Sequence, residues 1–413
     1  MSRGFQVPRG TFDITPADSA GRARILEAAS RLLSRAGYGR IETPAFEDTE
    51  LFARGVGQAT EIVRKEMFTF ADHGGRSITL RPEGTAPICR AYVEHGMHKL
   101  PQPVKLWYSG PFFRYEAPQA GRYRQFAQIG AEAIGSDSPL LDAEAILLLW
   151  DLIAELGIDG VELRLGSLGS PASRAAYRVE LADHLGKHSE ELSKDVRDRM
   201  AENPLRAFDS DHEGTKRVMA QAPTMLERLD AQDAEHFEAL KGLLDENGVT
   251  YRVDGTLVRG LDYYTRTVFE FTCDRLGAQS GIGGGGRYDG LVEQLGGPAT
   301  PAVGWAAGIE RLLIALDAPE PEAQSDVFVM AEDSERPRAL AIVTRLRRAG
   351  LSADLDLAGR SRKGQMKQAD RRGARHTLIL QAGEPTIVRD MSSGEQREVA
   401  DEQLADELSP PSA

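Results

Sequence analysis

The feature that most constrains the fold is a change of periodicity in the middle of the chain. Residues 174–250 are rich in Glu, Asp, Lys, Arg and Ala and have helical periodicity, with almost no strand pattern. The segments on either side contain strand patterns, among them 76–81 and 104–108. Because β-rich sequence resumes after the helical segment, we interpret 174–250 as a helical insertion within a larger domain.

Two helices and an interrupted strand are expected before this insertion. Apolar residues at helical spacing predict a helix over 17–37, which Gly37 closes, and the strongly apolar segment 140–157 predicts another. RIETPAFED, residues 40–48, is expected to form a strand that Pro44 interrupts. Because proline is tolerated mainly at sheet edges or bulges, we expect this strand at an edge or an interface.

A second boundary lies near residue 320. A linker rich in Pro, Glu and Ala covers 317–325. Beyond it, strand and helix patterns alternate as βαβαβ, which predicts a small α/β domain with a mostly parallel sheet. The 413 residues suffice for two or three domains. We therefore expect one domain at 1–322, which carries the insertion, and another at 326–413.

Composition excludes several classes of protein. No apolar run approaches the ~18 residues needed to span a membrane, and the first residues lack the apolar stretch of a signal peptide. Cys89 and Cys273 lie far apart, without the spacing of a metal site or a disulfide framework. These features predict a cytoplasmic protein with no membrane contact and no permanently bound metal.

The charge of the chain is unevenly distributed. The formal net charge is −13, which argues against a general nucleic-acid-binding protein. Residues 344–375 nevertheless contain ten Lys and Arg against three Asp, and this basic stretch includes Arg360 and Lys363. Such clustering indicates a surface for a polyanion. The alternative is a solvated helix face, which usually carries interspersed acids as well.

The stretch VRGLDYYTRTVFEF, residues 258–271, places a cation and two phenols at the start of a strand. Its second half alternates between two faces, as a strand does. Arg259, Tyr263 and Tyr264 come just before that alternation. The arrangement fits either a salt bridge beside core tyrosines or a pocket for a ligand that is both anionic and aromatic.

Residues 110–135 have the pattern of a hairpin with a long loop. In the second strand Gln128 and Glu132 lie on one face, roughly 13 Å apart at ~3.4 Å per residue, and Gly130 between them is expected to open space. The opposite face is expected to be buried and consists of Ala127, Ile129, Ala131 and Ala133. A solvated polar face with cross-strand ion pairs is the alternative. We favour the interpretation that this face forms the floor of a ligand-binding pocket, because a glycine flanked by an amide and an acid packs poorly. The paired strand is expected to hold Arg114 and Glu116.

The segment LRPEGTAPICRAY, residues 80–92, offers a carboxylate to a ligand. Glu83, Gly84 and Thr85 form a short polar turn before a helix that is expected to begin near Pro87. The carboxylate could hold an ammonium group. Alternatively, the threonine caps the helix and the acid is merely nearby, which is a common arrangement.

Two features further along the chain favour a nucleotide ligand. The segment 280–291 fails as a dinucleotide fingerprint and as a P-loop, but its four consecutive glycines let a backbone pass flush against a flat ligand. Arg311 lies in the first turn of a helix, where a cation opposes the helix dipole unless an anion such as a phosphate is close. Pairing of Arg311 with Glu310 or another acid is the alternative.

Several segments resemble motifs of known enzymes. IETPAFEDTELFARGVG, FRYEAPQAGRYRQFAQIGAE and GWAAGIERLLIAL resemble motifs 1, 2 and 3 of the class II aminoacyl-tRNA synthetases. LVRGLDYYTRTVFEF and GIGGGGRYDGL resemble the two signatures of the histidyl-tRNA synthetases and are far more specific. The similarity to this family extends from RGTFDITP to RDMSSGEQ, almost the whole chain.

The resemblance implies an α+β catalytic domain, in which helices flank an antiparallel sheet, with a helical insertion and a C-terminal α/β anticodon-binding domain. It implies ATP-dependent attachment of L-histidine to tRNA(His) through a histidyl-adenylate. ATP would be a substrate, Mg²⁺ would accompany its phosphates, and the protein would form a homodimer.

The resemblance also implies site residues. Those for histidine are Glu83, Gly84, Thr85, Gln128, Glu132, Tyr263 and Tyr264. Arg114 and Arg259 are the implied catalytic residues, in contact with the α-phosphate, and Glu116 and Arg311 complete the ATP site. The candidates for tRNA contact are Gln119 and Arg122 in the motif 2 loop, and Arg360 and Lys363 in the basic stretch.

Two alternatives belong to other functional classes. A non-catalytic relative of these synthetases serves as the regulatory subunit of ATP phosphoribosyltransferase, but it usually lacks the anticodon domain and has eroded catalytic residues. Here 326–413 is present, and Glu83, Arg259 and Arg311 are intact. A synthetase of the same subclass for proline, threonine or glycine is the other alternative, and the signature RGLDYYTRTVFEF argues against it.

Overall fold

A computed structural model describes residues 5–58, 60–277, 280–316 and 325–409. The chain divides into two compact units, Met1–Ala318 and Pro319–Ala413. Among the described residues, no helix is both long enough and apolar enough to cross a membrane.

The regular elements follow in chain order. The strands are β1 (Gly39–Arg40), β2 (Phe46–Asp48), β3 (Phe68–Ala71), β4 (Ser77–Leu80), β5 (Val104–Phe113), β6 (Gln125–Ile134), β7 (Val161–Ser167), β8 (Tyr251–Val253), β9 (Thr265–Cys273), β10 (Gly281–Arg287), β11 (Ala302–Gly308), β12 (Ser325–Ala331), β13 (Ala353–Leu355), β14 (Ala374–Leu380), β15 (Thr386–Asp390) and β16 (Gln396–Val399). The α-helices are α1 (Pro16–Arg35), α2 (Thr49–Gly55), α3 (Thr85–Glu94), α4 (Pro139–Glu155), α5 (Pro171–Lys187), α6 (Lys194–Arg199), α7 (Glu213–Met219), α8 (Ala231–Glu246), α9 (Leu291–Gln294), α10 (Ile309–Ala315), α11 (Arg336–Arg348), α12 (Arg362–Arg371) and α13 (Leu404–Leu408).

The first unit is built on an eight-stranded sheet in the order β1-β5-β6-β11-β10-β9-β7-β8. The outermost pair at each edge is parallel, and the pairs between them are antiparallel. The glycine-rich β10 lies inside this sheet between β9 and β11. Its close neighbours explain the glycines, because a Cβ on Gly285 would lie 1.9 Å from the carbonyl oxygen of Gly304.

The two faces of the sheet have different cores. On one face α1, α4, α8 and α10 contribute side chains such as Ile25, Leu149, Leu240 and Leu312. The other face holds a smaller cluster in which aromatic side chains meet α3. Because side chains alternate along a strand, β6 sends Ile129, Ala131 and Ala133 to the first core, as the sequence predicted. The opposite face of β6 carries the polar side chains of the candidate site.

Local sequence accounts for the ends of the long helices. A capping box between Thr15 and Asp18 begins α1, Pro16 occupies its first turn, and Gly37 follows its end with a φ of 82°. Ser138 accepts a hydrogen bond from the backbone N–H of Leu140 at the start of α4. The predicted positions of these helices, 17–37 and 140–157, therefore agree closely with the structure.

The proline-bearing segment 40–48 forms two short strands rather than one. β1 lies at the edge of the eight-stranded sheet, whereas β2 belongs to a separate three-stranded sheet in the order β2-β4-β3. Pro44 lies between them, where it is not required to donate a ladder hydrogen bond. The prediction of an edge position is confirmed, and the prediction of a single interrupted strand is wrong.

The helical segment 174–250 contains two kinds of helix. The elements α5 to α7 surround a core of their own, which includes Tyr177, Leu181 and Val218. In contrast, α8 packs on α4 and places Phe237 and Leu240 in the main core. The last helix of the predicted insertion therefore supports the main sheet directly, which its periodicity alone does not reveal.

The second unit has a mixed five-stranded sheet in the order β13-β12-β14-β15-β16. β12, β13 and β14 are parallel, as the βαβαβ pattern predicted, whereas β15 and β16 add an antiparallel meander. The prediction of a mostly parallel sheet missed these last two strands. Three of the four residues of β16 are exposed, so its sequence has little apolar signal.

Candidate active site

A cavity of about 760 Å³ opens on the face of the main sheet that carries the polar side chains of β6. It brings together most of the residues that the sequence singled out. Those that line it are Glu83, Gly84, Thr85, Arg114, Glu116, Arg122, Gln128, Arg259, Tyr263, Tyr264 and Arg311. The glycines Gly281, Gly283 and Gly284 of β10 also line it, so the glycine-rich strand forms part of the wall.

Glu132 lies beneath the floor of the cavity rather than in its lining. Its side chain is completely buried. One carboxylate oxygen accepts a hydrogen bond from the hydroxyl of Thr85 at 2.8 Å, and the other accepts one from the phenol of Tyr288 at 2.5 Å. Gly304, which lines the cavity, leaves room for this carboxyl group, because a Cβ there would lie 1.7 Å from its Oε2.

The burial of Glu132 changes its acidity. Burial raises the pKa of this carboxyl group to about 8, and the hydrogen bonds from Tyr288 and Thr85 offset only part of that effect. The nearby carboxyl group of Glu83 raises the pKa further. Glu132 is therefore mostly protonated at neutral pH and can change its charge close to the working pH of an enzyme.

The sequence predictions missed Tyr288 and Tyr108. Tyr288 stands in the quoted glycine signature, directly after Arg287, so its position there was the available signal. Tyr108 fills the space beside Gly130, where a Cβ would lie 2.3 Å from the phenol oxygen. The prediction that Gly130 opens space for a ligand is therefore wrong, because an aromatic ring of the neighbouring strand occupies that space.

Glu83 caps the helix that follows it. Its carboxylate accepts hydrogen bonds from the backbone N–H groups of Thr85 at 2.8 Å and Ala86 at 3.0 Å, at the start of α3. The helix thus begins at Thr85, two residues before Pro87, and the acid rather than the threonine is the cap. The phenol of Tyr263 also donates to Glu83 at 3.4 Å. Capping and a place in the cavity are compatible, since a carboxylate has about four acceptor sites.

Arg259 is held by an acid on the neighbouring strand. Its Nη1 donates to Glu270 at 2.9 Å, and the other oxygen of Glu270 accepts from Arg164 at 3.2 Å. Arg164 in turn pairs with Asp254 at 2.7 Å. A Cβ on Gly284 would lie 3.1 Å from an Nη of Arg259, so the glycine lets this guanidinium lie against β10. The salt-bridge alternative is correct for Arg259, which nevertheless lines the cavity.

Arg114 and Glu116 lie in the loop after β5 and not on the strand, because β5 ends at Phe113. Arg114 donates to the carbonyl of Pro82 at 2.9 Å. Its guanidinium lies 3.8 Å from Glu116, which also approaches Arg122 at 3.4 Å. The loop is therefore tied by ion pairs at the mouth of the cavity. Gln119 forms an isolated bridge with Arg122 and does not line the cavity.

Arg311 contacts backbone carbonyls rather than the neighbouring acid. Its Nε donates to Gly121 at 3.3 Å, and its Nη1 donates to Gly281. Glu310 pairs instead with Arg22 at 2.6 Å and accepts from the N–H of Ala127. The predicted alternative of an Arg311–Glu310 pair is therefore wrong.

The basic stretch of the second unit is partly neutralised by its own acids. Arg360 pairs with Asp356 at 2.6 Å, and Arg372 pairs with Asp354 at 3.0 Å. Other cations of the stretch are exposed and form no ion pair with the residues that the structure describes: Arg348, Arg362, Lys363, Lys367 and Arg371. All but Arg348 of these belong to α12, which gives that helix a cationic surface.

Comparison with known proteins decides the family. The family model of histidyl-tRNA synthetase matches residues 10–312, and that of an anticodon binding domain matches 324–410. The chain belongs to the histidyl-tRNA synthetase family. The predicted fold class, a class II catalytic domain with a helical insertion and a C-terminal anticodon-binding domain, is thereby confirmed.

Individual relatives cover nearly the whole chain. The histidine--tRNA ligase of Nocardia farcinica is 50% identical over 404 residues, which cover 96% of this chain and 95% of the relative. That of Desulfitobacterium hafniense is 47% identical with the same coverage. The crystal structure of the apo Staphylococcus aureus enzyme has a TM-score of 0.83 at 37% identity and covers 98% of this chain and 100% of its own.

Proposed function

We propose that this protein attaches L-histidine to tRNA(His) in two steps, with ATP as the source of energy. The observation that carries the proposal is that both histidine-specific signatures contribute to one cavity: Arg259, Tyr263 and Tyr264 from the first, and the glycines of β10 from the second. Family membership across both units supports it. The non-catalytic alternative is not favoured by the curated relatives, which are histidine--tRNA ligases.

In the first step the carboxylate of histidine attacks the α-phosphorus of ATP, the bond to the β-phosphate breaks, and pyrophosphate leaves. Negative charge accumulates on the α-phosphate oxygens. Arg114 and Arg259 are proposed to stabilise that charge, because both guanidinium groups are held in place before the reaction by contacts in the cavity wall. Arg259 would exchange part of its contact with Glu270 for the phosphate.

The remaining ATP contacts are proposed at the mouth of the cavity. Arg311 is anchored by two backbone carbonyls and would face the triphosphate tail, with Glu116 beside Arg114. Mg²⁺ would accompany ATP as part of the substrate, bound to its phosphate oxygens. Among the described residues, no group of three or more His, Cys, Asp or Glu side chains could hold a metal ion.

The histidine pocket is proposed to lie where α3, β6 and the loop before β9 meet. Glu83, Gly84, Thr85 and Gln128 would bind the amino end of the substrate. Tyr264 would contact one imidazole nitrogen, with Tyr263 alongside. Glu132, beneath the floor, would contact the other by exchanging its hydrogen bond with Thr85 for one with the substrate. A carboxyl group whose pKa is about 8 can donate to an unprotonated nitrogen or accept from an N–H, which suits an imidazole.

In the second step a hydroxyl of the 3′-terminal ribose of tRNA attacks the histidyl carbonyl, and AMP leaves. Gln119 and Arg122 are proposed to contact the acceptor end, because their loop lies at the cavity mouth. Arg360 and Lys363 are proposed to contact the anticodon end.

The domain boundaries are also part of the proposal. Residues 1–322 would form the catalytic domain, 174–250 the helical insertion within it, and 326–413 the anticodon-binding domain.

A homodimer in the cytoplasm is part of the proposal. The face of the three-stranded sheet exposes Phe46 (54%) and Phe70 (48%), with Tyr115 (53%) packed against the edge of Phe68. Exposed aromatic side chains that cluster on one face favour a protein partner, and a second copy of the chain would cover them.

The free thiols of Cys89 and Cys273 suit a reducing compartment.

Histidine-dependent exchange of pyrophosphate into ATP tests the first step, and charging of tRNA(His) tests the second. We expect both activities, with no exchange when proline, threonine or glycine replaces histidine. Exchange without charging would limit the protein to adenylate formation. Absence of both activities from folded protein would favour the regulatory-subunit alternative.

A further inference from the structure

The loop 258–264, which carries Arg259, Tyr263 and Tyr264, forms hydrogen bonds with the helical insertion. Arg174, on α5, donates from its Nη1 to the backbone carbonyl of Tyr264 at 2.7 Å and to that of Asp262 at 3.1 Å. These two carbonyl groups flank Tyr263. One guanidinium therefore fixes the backbone on both sides of the residue that reaches Glu83.

Arg174 provides hydrogen-bond donors for backbone carbonyl groups that no sheet neighbour satisfies. Residues 258–264 precede β9 and are not part of a strand ladder, so their carbonyl groups need other partners. Hydrogen bonds from a charged donor are stronger than those between neutral groups. Arg174 is partly buried, and burial makes such a hydrogen bond more costly to lose.

Further contacts tie the same loop to the insertion. The side-chain amide of Asn203 donates to the carboxylate of Asp262 at 3.3 Å. Directly after the loop, Arg266 has a φ of 46° and pairs with the buried Asp233 at 3.0 Å. Asp233 also accepts from the backbone N–H of Ser170 at 2.6 Å, the residue that caps the start of α5. The insertion and the loop therefore meet at several fixed points.

We propose that Arg174 is a positioning residue for histidine recognition, which aims Tyr263 and Tyr264 into the cavity through the backbone of their loop. The inference rests on the proposed histidine pocket and extends it to a side chain of the insertion that does not line the cavity. The proposal predicts different effects on the two substrates. Loss of the Arg174 hydrogen bonds should weaken histidine binding but not ATP binding, because Arg114 and Arg311 are anchored elsewhere.

Arg178 provides a matched control. It lies one helical turn after Arg174 on the same helix and also donates to a backbone carbonyl, that of Glu202, which belongs to the insertion itself. We expect Arg174→Gln to raise the KM for histidine roughly 10-fold to 100-fold in pyrophosphate exchange, the range for one lost hydrogen bond to a charged group. Arg178→Gln is expected to leave the KM unchanged.

Arg174→Lys keeps the charge and offers compact donors that cannot reproduce the planar geometry. An intermediate KM for histidine, with the KM for ATP within about twofold of wild type, supports the proposal. Thermal unfolding of each variant shows whether it is folded. If Arg174→Gln fails to fold, the KM values of Arg174→Lys test the proposal instead. A wild-type KM for histidine, or equal increases of both KM values, overturns the proposal.

Tyr264→Phe separates this inference from the pocket on which it rests. If Tyr264→Phe weakens histidine binding and the Arg174 variants do not, the positioning role fails while the pocket stands. If Tyr264→Phe also binds histidine as the wild type does, the pocket itself is misplaced.

Discussion

The phenol of Tyr288 donates to the carboxyl group of Glu132 across 2.5 Å, and both side chains are buried. The two residues are 156 positions apart in the chain. This contact orients Glu132 beneath the cavity floor and limits the rise of its pKa, since the hydrogen bond favours the charged form. We therefore assign Tyr288 to the proposed histidine pocket, although it does not line the cavity.

Tyr288→Phe removes one donor from Glu132 and leaves a buried oxygen without its partner. We expect histidine to bind about 1–3 kcal/mol more weakly, because an unsatisfied buried polar group costs about that much. ATP affinity should not change. Calorimetric titration of each ligand measures both values. Tyr177→Phe is the control, since that buried phenol donates to the carbonyl of Pro223 in the insertion. Unchanged histidine affinity in Tyr288→Phe would show that this contact does not shape the pocket.

The raised pKa of Glu132 predicts that the stability of the protein depends on pH. Its pKa is raised from 4.5 to about 8 on folding, so the folded protein holds this proton more tightly than the unfolded chain does. The stabilising contribution is fully present below pH 4.5 and is lost as the pH rises to about 8. The free energy of unfolding of the wild type should therefore fall, relative to that of Glu132→Gln, by on the order of a few kcal/mol across this window.

Denaturant titrations at several pH values measure this difference. Glu235→Gln, at an exposed position on α8, serves as the control and should follow the wild type. Parallel curves for the wild type and Glu132→Gln would contradict the raised pKa. The same glutamine variant should also bind histidine ~1–3 kcal/mol more weakly, if Glu132 contacts the imidazole.

Arg259→His should slow histidine-dependent pyrophosphate exchange by ~10²-fold or more, comparable to the loss of one oxyanion donor. Histidine affinity should change little, since the cation acts on the phosphate. Arg228→His is the control, because Arg228 is an exposed arginine that pairs with Glu180 at 2.8 Å and does not line the cavity. A raised KM for histidine with an unchanged kcat would make Arg259 a binding residue instead.

Neutralising the exposed cations of α12 should impair tRNA charging but not pyrophosphate exchange. For Lys363→Gln combined with Lys367→Gln and Arg371→Gln, we expect the KM for tRNA to rise. The slope of log affinity against log salt should fall by roughly 0.7–0.9 for each lost phosphate contact. Arg397→Gln, which removes a cation already paired with Glu407 at 2.6 Å, is the control. An unchanged salt slope would assign this surface to another role.

The exposed face of the three-stranded sheet should form the contact between two copies. Light scattering is expected to give twice 45.1 kDa for the wild type. Phe46→Asp combined with Phe70→Asp should shift the mass toward 45.1 kDa, because a carboxylate in an apolar interface is costly. Leu140→Asp, at an exposed apolar position on α4, should remain dimeric. A monomeric, fully active wild type at micromolar concentration would contradict the dimer.

Local sequence was sufficient for the elements whose signal repeats along the chain. The alternation in β6 correctly predicted that Ile129, Ala131 and Ala133 are buried on one face, and the apolar segment 140–157 correctly predicted the helix α4. The motifs identified the family and most of the residues that line the cavity. These features depend on residues that are close in sequence or that recur at a fixed spacing, so a single sequence is enough to reveal them.

Tertiary structure alone decided which groups meet across the cavity. Periodicity assigns a residue to a face but not to a partner, and the decisive contacts join distant segments. Tyr108 fills the space beside Gly130, Glu270 holds Arg259, and Arg174 reaches the loop of the tyrosines. Burial is likewise a property of the folded chain, and it is burial that gives Glu132 a pKa of about 8. The chemistry of the site therefore follows from packing that no local pattern encodes.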